Sequence, residues 1–161
     1  MLDKKDAKIL NLVQLDNKLT AEQIGERIGL SHTAVIRRLK RLRETEIIVA
    51  DVARVAPDAV GYPVVVNIAC ILERDRPDTY DRFKEALRSS PNVVSADAVM
   101  GEADFTMIVV ARTMDAFAAF RQNLMEEFPS LRKFTCLGVL EQIKRGPVPV
   151  DAVDQVETAE R

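Results

Sequence analysis

Two helix-start signals separated by a single glycine stop constrain this chain more than any other feature of its sequence. Thr20 and Gln23 have the spacing of a capping box, with Leu19 and Ile24 placed as its hydrophobic staple, so a helix is expected to open at Thr20. Gly29 ends it early, because glycine takes the left-handed C-terminal position without a Cβ penalty. Ser31 then starts another helix, with Leu30 and Val35 repeating the staple. Gly25 falls where these two helices would cross and where only a small side chain fits. Two capped helices joined by a short glycine turn make a helix-turn-helix. Upstream, Asp3 caps a first helix in which Ile9, Leu10 and Val13 recur at helical spacing. Asp6 adds negative charge to its first turn, where the helix dipole favours it, and Asp16-Asn17-Lys18 closes it as a polar turn.

Charge is distributed to match. The formal net charge is −2. Residues 1–50 nevertheless hold ten Lys/Arg against seven Asp/Glu, whereas residues 51–161 hold thirteen against eighteen. Residues 31–43 carry Arg37, Arg38, Lys40, Arg41 and Arg43 with no acid, a local basic surface on an acidic protein. Winding the third helix at ~100° per residue puts Val35, Leu39 and Leu42 on one face. The opposite face holds Thr33, Arg37, Lys40 and Arg41, with Ala34 beside it. Such a helix suits a DNA major groove, with its cap Ser31 at the DNA, its early residues His32, Thr33 and Ala34 at base edges, and Arg37, Arg38, Lys40 and Arg41 toward phosphates or a guanine. The plain alternative is a solvated basic helix face, and the two flanking caps and Gly29 weigh against it.

The remainder reads as a second domain. Residues 47–55 alternate loosely and are expected to form a strand leaving the helices, and 57–61 a linker turn. Strands are expected at 62–72, 93–100, 105–111 and 134–140, with helices at 77–90 and 114–128. The order βαββαβ is that of a ferredoxin-like sandwich, so the fold class is α+β. Phe117, Phe120, Leu124 and Phe128 keep helical spacing and read as core rather than as a cofactor box. The sheet's other face, carrying Val65 and Ile71, is left open, and an exposed apolar face marks an interface. The domains expected are 1–50 for DNA binding, 51–61 as strand and linker, 62–144 as the sandwich, and 145–161 as a flexible acidic tail.

The run Leu2-Asp3-x-x-Asp6-x-x-Ile9-Leu10, then Leu30-Ser31-x-x-x-Val35-x-x-Arg38 and Leu42, resembles the start of the leucine-responsive and asparagine-responsive (Lrp/AsnC) regulators. The likeness continues through Ile47-Ile48 and Gly61 to Gly101-Glu102-Ala103-Asp104, which is similar to that family's Gly-Asp-Tyr-Asp motif. Three positions depart from the pattern. Glu46 stands where glycine is usual, and left-handed backbone there costs a residue with a Cβ ~1 kcal/mol. Ala103 replaces the motif's aromatic, and Phe134 and Cys136 replace a Thr-x-Thr pair. The resemblance implies a transcriptional regulator that binds double-stranded DNA, forms dimers through its sheets and often octamers, and senses an amino acid or related metabolite. It places the effector near Gly101, Glu102, Ala103 and Asp104, with Cys136, Leu137 and Gly138 nearby. A glycine turn lets backbone amides approach a ligand carboxylate, and Asp104 suits an α-ammonium group. The alternative is an architectural DNA-binding protein whose second domain only oligomerises.

Other functions find little support. The single histidine, His32, lies on the third helix, no His/Cys cluster has metal spacing, and no glycine-rich loop follows a strand in a phosphate-cradling pattern. Neither catalysis, nor a metal, nor a cofactor is expected. Cys70 and Cys136 sit in apolar runs and read as reduced core thiols. No apolar stretch approaches the ~18 residues of a membrane span and no leader core follows Met1, so a cytoplasmic protein is expected.

Overall fold

The computed structural model describes residues 2–73, 78–144 and 146–150. These fall into two compact units, one of residues up to Ala53 together with those from Lys144 onward, the other spanning Arg54–Ile143.

The first unit is helical, with α1 (Lys4–Leu15), α2 (Ala21–Ile28) and α3 (His32–Glu44). Each start is capped by the residue the sequence marks. The Asp3 carboxylate accepts the Lys5 and Asp6 N–H groups, and the Asp6 carboxylate accepts the Asp3 N–H. Thr20 and Gln23 form their reciprocal box, and the Ser31 hydroxyl accepts the Ala34 N–H. Gly29 ends α2 at φ +67°, and the Lys5 ammonium donates to the carbonyls of Ile28 and Gly29 there, the favoured place for a cation. Ile9, Ile24, Val35 and Leu42 are fully buried between the helices, each adding roughly 1.5–3 kcal/mol by leaving water. At Gly25 the neighbour that excludes a side chain is the turn itself. An added Cβ would lie 2.4 Å from the Leu30 carbonyl oxygen, while the Leu30 N–H donates to the Gly25 carbonyl.

The end of α3 shows the cost expected at Glu46. Thr45 is the cap and Glu46 follows at φ +55°. The Glu46 N–H donates to Arg43 and the Ile47 N–H to Leu42, the paired bonds of a Schellman turn. Downstream, the strand expected over 47–55 does not form. Among the described residues no ladder partner meets them, and Val49, Val52 and Val55 are exposed. β-branched alternation prepares a chain to pair, but a strand exists only where a second one meets its hydrogen bonds.

The second unit runs β1 (Val64–Leu72), α4 (Thr79–Ser89), β2 (Val93–Ala98), β3 (Phe105–Ala111), α5 (Met114–Glu127) and β4 (Leu131–Gly138), after a short 3₁₀ turn at Asp58–Val60. The strands form one antiparallel sheet in the order β2-β3-β1-β4. This is the ferredoxin-like arrangement, reached because each helix returns the chain to the far side of a strand already laid down. β4 starts three residues before the expected Phe134, since Leu131 still pairs with Leu72 across a bulge, and β2 stops at Ala98. Val66, Ile68, Cys70 and Leu72 of β1 and Phe105, Met107 and Val109 of β3 point to the helices, where Phe83, Leu87, Phe117, Leu124 and Phe128 close the core. Phe83 lies 5.0 Å from both Phe105 and Phe128, ring centroid to centroid, in edge-on contact. The α5 aromatic stripe is therefore core, with Phe120 at its margin.

The tail expected over 145–161 is described only at residues 146–150, and the rest of it lies outside the described residues. Val148 and Val150 are not loose there: both hydrogen-bond to α1.

Candidate functional site

The outward surface of α3 follows from how the helix is held. Val35 and Leu42 are buried, and Leu39 packs half-buried beside them. Asp6 of α1 is fully buried and faces α3. One of its oxygens takes Arg38 at 2.7 Å and the other takes Arg41, while Arg38 also reaches Asp3. A buried carboxylate is stable only with its lone pairs occupied, and here two guanidiniums and the Asp3 N–H occupy them. Burial pushes the Asp6 carboxyl up. The Asp3 N–H and the two arginines more than offset this and hold it below its ordinary 3.8. The Asp3 carboxyl is also lowered, first by the Asp6 backbone and then by Arg38, while the Asp3 and Asp6 hydrogen bonds raise Arg38.

The clamp divides the basic residues of α3 into two groups. Arg38 and Arg41 are engaged by α1. Arg37 has no ion-pair partner among the described residues, and Lys40 makes only an exposed contact with Glu44 at 3.7 Å. Ser31, His32, Thr33, Arg37 and Lys40 are exposed and Ala34 is half-exposed. The clamp is the feature missed at the sequence level. Its signal was available: Asp6 falls in the apolar stripe of α1 with Ile9, Leu10 and Val13, where an acid needs a cation from another element.

In the sheet unit the candidate effector residues lie in two places. Gly101 (φ +137°, open space on its Cβ side) and exposed Glu102 form the β2–β3 turn. Ala103 and Asp104 are half-buried. Asp104 ties that turn to the sheet. Its carboxylate accepts the Leu72 N–H at 2.9 Å, its own N–H donates to Cys70, and its carbonyl accepts the Val99 N–H. Cys136, Leu137 and Gly138 instead pair with Ile68, Asn67 and Val66, at the other end of β1 and on its other flank. Val66 to Cys70 alone is roughly 13 Å of strand, so the two segments do not meet in one pocket within this chain. Leu137 faces the open side of the sheet, a shallow depression of about 330 Å³ lined also by Asn67, Ala69, Ser95, Asp97, Thr106 and Ile108. Both thiols are pushed toward their protonated form. Burial, with the Asp104 charge behind it, pushes Cys70 up to about 12, and burial also raises Cys136. No group of three or more His, Cys, Asp or Glu with metal-holding geometry occurs among the described residues. No helix among them is long and apolar enough to cross a membrane.

Comparison with known proteins places this architecture. The family model for the Lrp/AsnC ligand binding domain matches residues 64–149, and that for the AsnC-type helix-turn-helix domain matches residues 2–43. The chain belongs to the Lrp/AsnC family of transcriptional regulators. Its relatives include the uncharacterized HTH-type transcriptional regulator y4tD of Sinorhizobium fredii, 41% identical over 89% of this chain and 85% of that one. The DNA-binding transcriptional activator DecR of Escherichia coli is 31% identical over 89% of this chain and 95% of its own. Among solved structures, that of the transcriptional regulator NMB0573 of Neisseria meningitidis in complex with L-Met superposes with a TM-score of 0.85 at 29% identity, covering 92% of this chain and 97% of that one. As in its Lrp/AsnC relatives, the chain is a transcriptional regulator with a DNA-binding and a ligand-binding domain, not an enzyme.

Proposed function

We propose that this Lrp/AsnC regulator reads a specific DNA sequence through the exposed N-terminal half of α3 and answers to an amino acid bound between two copies of its sheet domain. The observation carrying the DNA reading is the Asp6 clamp. It fixes the roll of α3 by tying the half-buried Arg38 and one end of the exposed Arg41 to α1, leaving His32, Thr33 and Ala34 for base edges and Arg37 and Lys40 for phosphates. Ser31 caps the helix by accepting the Ala34 N–H, and the other first-turn N–H groups are left for a phosphate. Arg38 and Arg41 are then positioning residues, held by Asp6 rather than offered whole to DNA. A protein acting on the chromosome in this way works in the cytoplasm.

The effector reading draws on the relative that holds L-Met and on the split between the Gly101–Asp104 turn and the Cys136–Gly138 segment. A pocket using both needs the turn of one copy and the strand end of another, which makes assembly a condition of sensing. Within it, the backbone amides about Gly101 would take the ligand carboxylate, and Ala103 leaves room for a bulky side chain. Asp104 already binds the Leu72 N–H, so its removal would disturb the sheet as well as a ligand. Gly101→Val is the cleaner probe, because open space surrounds that position while its φ forbids a β-branched residue.

The test joins thermal shift against the L-amino acids with DNA-binding anisotropy across a salt series. The reading expects one or a few amino acids to raise the melting temperature and alter DNA affinity in the wild type, with both effects lost in Gly101→Val. Stabilisation by no amino acid would refute the effector half. Affinity independent of both salt and DNA sequence would refute the DNA half.

A further inference from the structure

The outer face of α1 carries two side-chain amides that each read a complete peptide unit. Asn11 donates through Nδ2 to the Val150 carbonyl at 2.7 Å and accepts the Val150 N–H on Oδ1 at 3.2 Å. Gln14 does the same to Val148, with both bonds at 3.0 Å. Side chains three apart on a helix have Cβ atoms ~5–6 Å apart, close to the ~6–6.6 Å that two residues of extended chain span. The spacing therefore matches without strain in either partner. Val150 also packs against the apolar cluster of the helical unit.

The sequence of the bound segment suits this one-sided contact. In extended chain the N–H and C=O of one residue point to the same side and those of the next residue to the other. Val148 and Val150 present theirs to α1, and the alternate positions are Pro147 and Pro149, which have no N–H to leave unpaired. Proline also holds its own φ and biases the residue before it toward extended backbone, so little freedom is lost on docking. The outer edge made by the prolines cannot recruit another strand.

We infer that the Asn11–Gln14 face of α1 is a docking site for extended main chain, and that its occupant is this chain's own Pro147–Val150 segment. The chain leaves the sheet unit at Ile143 and resumes the helical unit at Lys144. The docked segment and the helix it meets thus lie within the same unit. The contact reads backbone and one valine, so it tolerates side-chain change at Val148 but not loss of an N–H at either valine.

Amide hydrogen exchange on the full chain tests this. The Val148 and Val150 amides should exchange at least roughly tenfold more slowly than in the unfolded chain. The double variant Asn11→Ala/Gln14→Ala should return both to unfolded-chain rates while the α3 amides stay protected. Val148→Pro, which deletes one donor and leaves α1 untouched, should lower protection at Val150, whereas Pro149→Ala should leave it unchanged. Unprotected valine amides in the wild type would overturn the inference. Protection that survives the double variant, or that is unmoved by Val148→Pro, would overturn it equally.

Discussion

At the scale of single residues, Asp6 has the largest consequences. It is fully buried and holds two arginines of α3. Removing one partner of a buried ion pair costs ~3–5 kcal/mol, and Asp6→Asn, which keeps the shape, should sit near the low end at about 3 kcal/mol. The pH dependence has a definite sign. The folded carboxyl lies below its ordinary 3.8, so its stabilisation is complete above 3.8 and is lost as pH falls through the lower folded value. Urea unfolding of the wild type should show this loss below pH 3.8, and Asp6→Asn should lack it. Identical acid profiles for the two proteins would show that Asp6 carries no such charge. The same clamp separates Arg37 from Arg41. Arg37→Ala should leave stability within ~0.5 kcal/mol but weaken DNA binding and reduce the slope of log affinity against log salt by about 1. Arg41→Ala should do the reverse, lowering stability first because it leaves Asp6 with one arginine. Equal loss of DNA affinity in both variants at matched stability would place Arg41 on the DNA.

At the scale of elements, α3 gains its definition from both ends. Ser31 satisfies a free N–H at its start, and the Schellman bonds satisfy carbonyls at its end. Glu46 makes that end possible only at φ +55°. Glu46→Gly should therefore stabilise the helical unit, by about 1 kcal/mol or a little less once glycine's extra freedom in the unfolded chain is subtracted. A thermal melt that falls in the variant would mean that the Glu46 side chain makes a compensating contact. The segment after α3 teaches the converse. Val49, Val52 and Val55 have strand-forming side chains and no strand, because an element's propensity acts only where a partner accepts its hydrogen bonds.

At the scale of the whole molecule, the open sheet face is decisive. Val65 and Ile71 alternate onto the side without helices, where Asn67, Ala69, Thr106 and Ile108 line a depression of about 330 Å³. If copies meet there, Val65→Glu or Ile71→Glu should lower the oligomer mass in light scattering. DNA affinity should fall with it, since two linked helix-turn-helix units bind far more tightly than one. Half-sites should be separated by whole duplex turns of about 10–10.5 bp. A wild type that is monomeric at micromolar concentration would remove the basis for both expectations, and for an effector pocket shared between copies.

Much of the architecture was legible in the residues, because its signals are local. Thr20 with Gln23, Gly29, and Ser31 each act within one helical turn, so reading the turn is enough to place α2 and α3. The βαββαβ order likewise followed from periodicities that a strand or helix carries within itself. The outward face of α3 was also legible, in the alternation of Val35 and Leu42 with Thr33, Arg37 and Lys40. What only the tertiary structure decided concerns groups whose partners are distant in the chain. That Arg38 and Arg41 are tied to α1 depends on Asp6, 32 and 35 residues away. Whether residues 148–150 are free depends on Asn11 and Gln14, more than 130 residues away. Whether Gly101 and Gly138 share a pocket depends on the register of β1 with β3 and β4. Hydrogen bonds and ion pairs act over a few ångströms whatever their separation in sequence, so such pairings are settled only once the fold has brought the partners together.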